Sequence, residues 1–367
     1  MINIAILYGG KSGEHNVSLC SAASVVSGLD KAKYNIIAIG VAKNGKWHVQ
    51  EKPVIVDDAD FGKILKLDEN GSWNVSHYES GGRLVLTETE TLRSVSVDAV
   101  FPVMHGTNCE DGRLQGMLEL SAVPYVGAGV TGSAVGMDKD ISKRLVRDCG
   151  IPVVPWKTLT YTEWKNNKDT GALIEGIGFP LFVKPCRAGS SVGVGKVKGE
   201  AELAPALDFA FRFDNKLLIE RSVTVREIEC AVLGNENPSS SCIGEIIPSH
   251  EFYSYEAKYI DSNGAALVIP AELDAELEKS IRAAALKAFK ALNCAGLARV
   301  DFFVEKNTGN FYFNEINTIP GFTSISMYPK LWEKSGLAYS ELLDRLIELA
   351  FERHALKKRI TTEFTND

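Results

Sequence analysis

The stretch Ala298–Phe322, ARVDFFVEKNTGNFYFNEINTIPGF, constrains the fold more tightly than any other part of the chain. It reads as two strands joined at Asn307-Thr308-Gly309, where glycine supplies the positive φ that a three-residue hairpin loop requires. A hairpin centred on Thr308 sets Arg299 opposite Asn317 and Asp301 opposite Glu315. Strand side chains alternate, so all four lie on one side of the sheet. Val300, Phe302, Phe311, Phe313 and Ile316 hold the other side. Two carboxylates, an amide oxygen and a guanidinium on one patch suit a magnesium ion holding a phosphate, with the arginine stabilising developing negative charge. An exposed polar strand face with cross-strand ion pairs fits the same residues, and a bulge would shift the register.

Composition narrows the class. With 367 residues and 45% apolar content the chain can bury a large core and is expected to divide into two or three domains. A net charge of −7 and a pI near 5.6 argue against a nucleic-acid binder. Seven cysteines, at 20, 109, 149, 186, 230, 242 and 294, form no CxxC pair; this fits reduced cytoplasmic thiols rather than a disulfide framework or a zinc site. The opening MINIAILYGG lacks the features of a signal peptide and reads as a strand. No apolar run approaches the length of a membrane span. The expectation is a soluble cytoplasmic α/β protein.

Strand and helix patterns alternate. Ile2 to Tyr8 is an apolar strand, Gly9 to Gly13 a loop and Val17 to Leu29 a helix; Ile36 to Val41 and Ala99 to Met104 are further strands. This resembles a nucleotide-binding half-fold, although GGKSG lacks the spacing of the dinucleotide fingerprint, so a bound NAD is not expected. Residues 50–95 are polar and read as inserted hairpins. Small residues cluster over Gly127 to Gly136, and the helix MDKDISKRLVRDCG follows, stopping at Gly150 before Pro152. A strand, LFVKP, leads into a glycine-rich loop; Leu217 to Glu220 and Arg226 to Leu233 are strands, and Ala275 to Leu292 is a helix.

The glycine-rich loop is a second candidate site. In FVKPCRAGSSVGVGKV, Lys184 ends a strand, and Gly189, Ser190, Ser191, Gly193 and Gly195 follow with free backbone N–H groups and hydroxyls that can fold over phosphate oxygens. The lysine precedes the glycines, so this is no Walker A loop, and an ordinary glycine-rich turn fits as well. Lys139, near the start of its helix, is a further candidate phosphate contact or simply a solvated lysine.

Taken in order, GGKSGEHNVSL at 9–19, HGTNCEDGRLQGMLE at 105–119, MDK at 137–139, FVKP at 182–185, GSSVGV at 189–194, REIECAVLGN at 226–235, YEAKYID at 255–261, RVD at 299–301 and NEINTIPGFTSISMYPKLW at 314–332 make the chain similar to D-alanine–D-alanine ligases of the ATP-grasp superfamily. The resemblance runs over nearly the whole length. It implies a combined α/β and α+β architecture. A Rossmann-like amino-terminal α/β domain would span 1–127, with 50–95 inserted. A two-domain ATP-grasp fold would follow, its central domain over 128–219 and its carboxy-terminal domain over 220–367, the latter with the metal site and a covering loop at 250–264. The implied activity is ATP-dependent joining of two D-alanine molecules through an acyl phosphate, for peptidoglycan precursors, in a homodimer.

Site residues carry over by motif. Asp301, Glu315 and Asn317 would hold two Mg²⁺, with Mn²⁺ as a substitute, bridging the ATP phosphates. Lys139, Lys184, Gly189, Ser190, Ser191 and Val192 would neutralise or cradle the remaining phosphate charge. Glu220, Arg221, Val223 and Glu227 would contact adenine and ribose. Arg299 and the Gly321 N–H would stabilise the oxyanion of the tetrahedral intermediate. Glu14 would pair with the first D-alanine's ammonium, with His105 close by, while Lys258 and Ser326 would bind the second carboxylate. Glu14, Ser190 and Tyr259 would draw the covering loop over the site and exclude water, which would otherwise hydrolyse the acyl phosphate.

One departure stands out. Cys109 replaces the usual glycine of the HGxxGEDG motif. If the position needs positive φ, the Cβ costs on the order of 1 kcal/mol and shifts the loop near His105; a thiol there would also be open to oxidation or alkylation. Relatives that join D-alanine to D-lactate or D-serine are the nearest alternative, with Lys258 and Tyr259 expected to decide between them. A catalytically silent nucleotide-binding protein is the alternative from another class; it would lack part of the Arg299, Asp301, Glu315 and Asn317 set, which is intact.

Overall fold

The computed structural model describes residues 1–69, 73–74, 84–88, 93–248, 265–323 and 325–361. The chain opens with β1 (Ile2–Gly9), α1 (His15–Gly28), β2 (Tyr34–Val41) and β3 (Trp47–Val49). It then passes through the short strands β4 (Ile55–Asp58), β5 (Gly62–Leu65), β6 (Trp73–Asn74), β7 (Leu84–Glu88) and β8 (Ser94–Val97) before β9 (Ala99–Pro102). The first sheet runs β3-β2-β1-β9, with β1 parallel to both β2 and β9. Ile4 to Tyr8 are wholly buried, which is why β1 reads as an unbroken apolar run and not as an alternating one. The polar region that follows β3 carries two small antiparallel sheets, β4-β5 and β6-β7-β8.

Next come α2 (Arg113–Leu120), α3 (Val130–Met137) and α4 (Lys139–Asp148). The helix expected from Met137 starts two residues later, because Asp138 leaves helical geometry at ψ 102° and its carboxylate accepts from the N–H groups of Asp140 and Ile141. The small-residue cluster before it is itself a helix, α3. A Cβ added to Gly132 would lie 2.5 Å from the Asn293 carbonyl oxygen, so its small residues serve close packing.

The second sheet is antiparallel, in the order β10-β13-β11-β12. It is built from β10 (Trp156–Thr160), β11 (Leu181–Pro185), β12 (Gly195–Val197) and β13 (Lys216–Arg221), with α5 (Tyr161–Asn166), α6 (Gly171–Ile174) and α7 (Glu200–Ala210) between them. β10 lacks a clean alternating pattern and was not anticipated; pairing with β13 holds it in place. The boundary expected between residues 219 and 220 falls inside β13, which pairs through Arg221 with β11.

The third sheet, β16-β15-β14-β17-β18, is also antiparallel. It contains β14 (Val225–Gly234), β15 (Ser239–Pro248), β16 (Ala265–Val268), β17 (Gly296–Glu305) and β18 (Phe311–Asn317), backed by α8 (Ala275–Ala291) and followed by α9 (Met327–Lys334) and α10 (Tyr339–Lys357). In the β17–β18 hairpin Arg299 pairs with Asn317 and Asp301 with Glu315, as expected, and the register shifts just beyond, where Phe302 meets Phe313. Asn314 is the extra residue, and the Glu305 N–H donates to the Asn310 carbonyl, so the loop holds four residues instead of three. The bulge explains how Phe311 and Phe313 join Ile316 on the core side, which strict alternation along β18 would forbid.

α10 packs far from its neighbours in sequence. Leu342, Leu343, Leu346 and Ile347 share one buried cluster with Ile4 and Ile6 of β1 and with Ala22 and Val25 of α1. Among the described residues no helix is long and apolar enough to cross a membrane.

Candidate active site

The second and third sheets enclose a cavity of about 530 Å³. Its lining brings together Lys139, Lys184, Ser190, Ser191, Glu220, Arg221, Val223, Glu227, Arg299, Asp301 and Glu315, residues separated by as many as 176 positions. Gly189 and Val192 belong to the same turn, where the Val192 N–H donates to the Gly189 carbonyl at 3.1 Å. Ser190 and Ser191 hold left-handed φ values of 50° and 59°, a strained pair of the kind found where a loop is shaped for a ligand.

The lysines on one wall are fixed by a carboxylate that no local pattern announces as buried. Glu220 is 1% exposed; its Oε1 meets Lys143 Nζ at 2.6 Å and its Oε2 meets Lys184 Nζ at 2.5 Å. Burial alone would raise this carboxyl, but Lys143 and Lys184 hold it down at about 2. Lys184 also lies 5.5 and 5.6 Å from the ring centroids of Phe182 and Phe303. Lys143, Phe182 and Phe303 were missed by sequence reasoning, since nothing local tells a buried lysine or a cavity-facing ring from an ordinary one.

The opposite wall carries the β17–β18 patch. Arg299 Nε and Nη2 reach the Asp301 oxygens at 2.8 and 2.7 Å, and Nε reaches Glu229 Oε2 at 3.0 Å. Glu229, also missed, therefore fixes the guanidinium plane from β14. Asn317 Nδ2 donates to Asp301 Oδ2 at 2.9 Å. Lys139 Nζ crosses from α4 to Glu315 Oε2 at 3.0 Å and to the Ala188 carbonyl at 3.0 Å. Burial works against the Lys139 charge, but Glu315 outweighs it and raises its pKa.

Among the described residues no three His, Cys, Asp or Glu side chains gather as a metal cluster. The donors are two carboxylates and one amide, all hard oxygens on one face with cations against them. That set suits Mg²⁺, which binds through one or two carboxylates and fills its remaining positions with phosphate oxygens and water.

On the amino-terminal side, Glu14 is 8% exposed and accepts a hydrogen bond from the Ser190 hydroxyl. A Cβ on Gly106 would lie 2.4 Å from Glu14 Oε2, at a φ of +77°, so glycine there makes room for the carboxylate. Gly321 and Ser326 lie together: a Cβ on Gly321 would stand 2.7 Å from Ser326 Oγ, and Ser326 Oγ accepts from the Thr323 N–H at 2.9 Å. His105, expected beside the first substrate, is 4% exposed with both ring nitrogens engaged within the protein, one with Ser21 Oγ and one with the Ile319 carbonyl. Burial lowers its pKa. Glu110 of the same loop, not singled out from sequence, accepts from the N–H groups of Gly106 and Ile319; burial and the nearby Glu14 charge raise it to about 8. Lys258 and Tyr259 lie outside the described residues.

The expected strain at Cys109 is not there. The positive φ falls on Asn108, at 73°, a residue type that tolerates the left-handed region. Cys109 is fully buried, and burial raises its thiol pKa, so the anticipated reactivity has no structural basis.

Two antiparallel sheets closing on a cavity lined by lysines and carboxylates form an ATP-grasp fold. Family models described as "D-ala D-ala ligase N-terminus" and "D-ala D-ala ligase C-terminus" match residues 3–128 and 145–348. A D-alanine–D-alanine ligase of Thermoanaerobacter sp. (strain X514) is 48% identical, over 97% of this chain and 98% of the relative. The D-alanine–D-alanine ligase structure from Coxiella burnetii aligns with a TM-score of 0.79 at 39% identity, covering 98% of this chain and 96% of that one. The VanG D-Ala:D-Ser ligase from Enterococcus faecalis aligns with a TM-score of 0.81 at 37% identity, covering 95% and 99%. The chain belongs to the D-alanine–D-alanine ligase family.

Proposed function

We propose that this protein joins two D-alanine molecules into D-alanyl-D-alanine with release of ADP and phosphate. The carboxylate of the first D-alanine attacks the γ-phosphate of ATP, giving an acyl phosphate and ADP. The amine of the second attacks the acyl carbon, and phosphate leaves. Phosphoryl transfer asks mainly for alignment and charge neutralisation. Lys139, Lys184 and the 189–192 turn supply these from one wall, while Phe182 and Phe303 offer apolar walls for a base. Asp301, Glu315 and Asn317 would hold Mg²⁺, whose charge, when bound, screens the phosphates. Glu14 receives the first ammonium, with Ser190 hydrogen-bonded to its other side. Arg299, its plane set by Asp301 and Glu229, faces the oxyanion together with the Gly321 N–H. Ser326, with Lys258, takes the second carboxylate. The domains of this reading run 1–127, 128 to the end of β13, and the remainder.

The observation that carries the reading is the β17–β18 patch of Arg299, Asp301, Glu315 and Asn317, met by Lys139 from the facing wall. The VanG resemblance keeps D-serine as an alternative second substrate; near-half identity to D-alanine–D-alanine ligases favours D-alanine. ADP release with ATP, Mg²⁺ and D-alanine tests the activity, and competition with D-serine and D-lactate tests the choice. Arg299→Ala should lower kcat by about 100-fold or more while moving the KM for ATP little. Equal losses in both would contradict the oxyanion role.

A further inference from the structure

β18 ends at Asn317, and the backbone beyond it carries Gly321. That segment is held largely by side chains from the other end of the chain. The Ile319 N–H donates to Glu110 Oε1 at 3.1 Å, and the Ile319 carbonyl bonds His105 Nδ1 at 3.0 Å. The Phe322 N–H donates to Ser21 Oγ at 3.2 Å, and Ser21 Oγ lies 2.9 Å from His105 Nε2. The contacts to Ile319 and Phe322 span 209 to 301 positions in sequence, and they bracket Gly321 on both sides.

A carbonyl can only accept, so His105 Nδ1 carries the hydrogen toward Ile319. The neutral ring then accepts at Nε2 from the Ser21 hydroxyl, which leaves a Ser21 lone pair for the Phe322 N–H. Glu110 Oε2 accepts from the Gly106 N–H at 2.9 Å, so one carboxylate ties its own loop to the distant segment.

We propose that Ser21, His105 and Glu110 form a clamp by which the amino-terminal unit positions the 319–322 segment, and with it the Gly321 N–H, for the ligation step. They are positioning residues for the second half-reaction rather than contacts to the first D-alanine. The clamp rests on the reading that the Gly321 N–H faces the oxyanion. None of its hydrogen bonds involves Lys139, Lys184 or the 189–192 turn, the groups this reading gives to phosphate. Ser326 Oγ lies close against Gly321, so a slackened clamp disturbs the pocket for the second carboxylate as well. A purely structural role would lower stability and slow both half-reactions together.

His105→Gln and His105→Asn separate these cases. A glutamine amide reaches the place of Nε2 and keeps Ser21 while abandoning Ile319. An asparagine amide sits near Nδ1 and keeps Ile319. Two rates are measured with the full-length enzyme, ATP, Mg²⁺ and D-alanine: dipeptide formation, and scrambling of ¹⁸O between the β,γ-bridge and non-bridge positions of ATP, which reports reversible acyl-phosphate formation. H105Q is expected to lower dipeptide formation about 10- to 100-fold with scrambling and the KM for ATP within about twofold, and H105N to recover most of the loss. Parallel loss of scrambling and ligation, or an H105N no better than H105Q, overturns the proposal. If H105Q does not fold, Glu110→Gln, which turns an amide N–H toward one of the two backbone donors, carries the same criteria; if neither folds, the residues are structural and the clamp fails. Normal behaviour of H105Q alongside a crippled Arg299→Ala would sink the clamp alone, whereas an active Arg299→Ala would sink the oxyanion reading beneath it.

Discussion

Glu220→Gln is the perturbation with the clearest magnitude. The side chain keeps its shape but loses the charge that Lys143 and Lys184 share. The Lys143 side chain is 1% exposed, so it stays buried without its counter-charge, which costs about 3–5 kcal/mol. A second route gives a similar figure. The Glu220 carboxyl falls from its ordinary 4.5 to about 2 in the folded protein; at about 1.4 kcal/mol per tenfold change in proton affinity this is about 3 kcal/mol at neutral pH. The folded value is depressed, so the contribution is fully present above pH 4.5 and is lost as pH falls toward 2. Urea unfolding at pH 7 should show Glu220→Gln less stable by about 3–5 kcal/mol, with the gap to the parent narrowing below pH 4.5. Adding Lys143→Met should recover much of the loss, because the fully buried ammonium is removed. A gap under about 0.5 kcal/mol at pH 7, or one that does not narrow in acid, would refute the reasoning.

Two further outcomes follow from packing. Gly321→Ala drives a Cβ to 2.7 Å from Ser326 Oγ, so it should cost about 1–3 kcal/mol in thermal or urea unfolding; Ser326→Ala in the same chain should return most of it, and no recovery would place the strain elsewhere. Brief iodoacetamide treatment of the native protein should alkylate the half-buried Cys149 and Cys242 before the buried Cys109. Peptide mapping that finds Cys109 modified first would contradict its burial.

The β17–β18 pairing of Arg299 with Asn317 and Asp301 with Glu315 was legible because polar and apolar residues alternate cleanly near the site. The bulge at Asn314 was not. A four-residue loop and one extra residue on β18 offset each other, so a hairpin centred on Thr308 has the right register at the site for an incomplete reason. The break at Asp138 was readable in principle, since an aspartate two residues before free N–H groups is a cap. Lys143, Glu229 and Glu110 were not readable. Burial of a charge depends on what the other sheets bring to it, and those partners sit far away in sequence. The motifs therefore picked out many of the residues that line the cavity, while the groups that hold them emerged only in three dimensions.

The placement of α10 bears on how the protein is made. Leu342, Leu343, Leu346 and Ile347 complete the cluster formed by β1 and α1, so this face of β1 stays uncovered until α10, more than 300 residues later, has been synthesised. Contacts of such long range are slow to form, and the apolar faces of Ile4, Ile6 and Val25 need shelter throughout elongation. The other face of the first sheet packs on residues 5–125 alone, so only the side that α10 covers depends on the chain's far end.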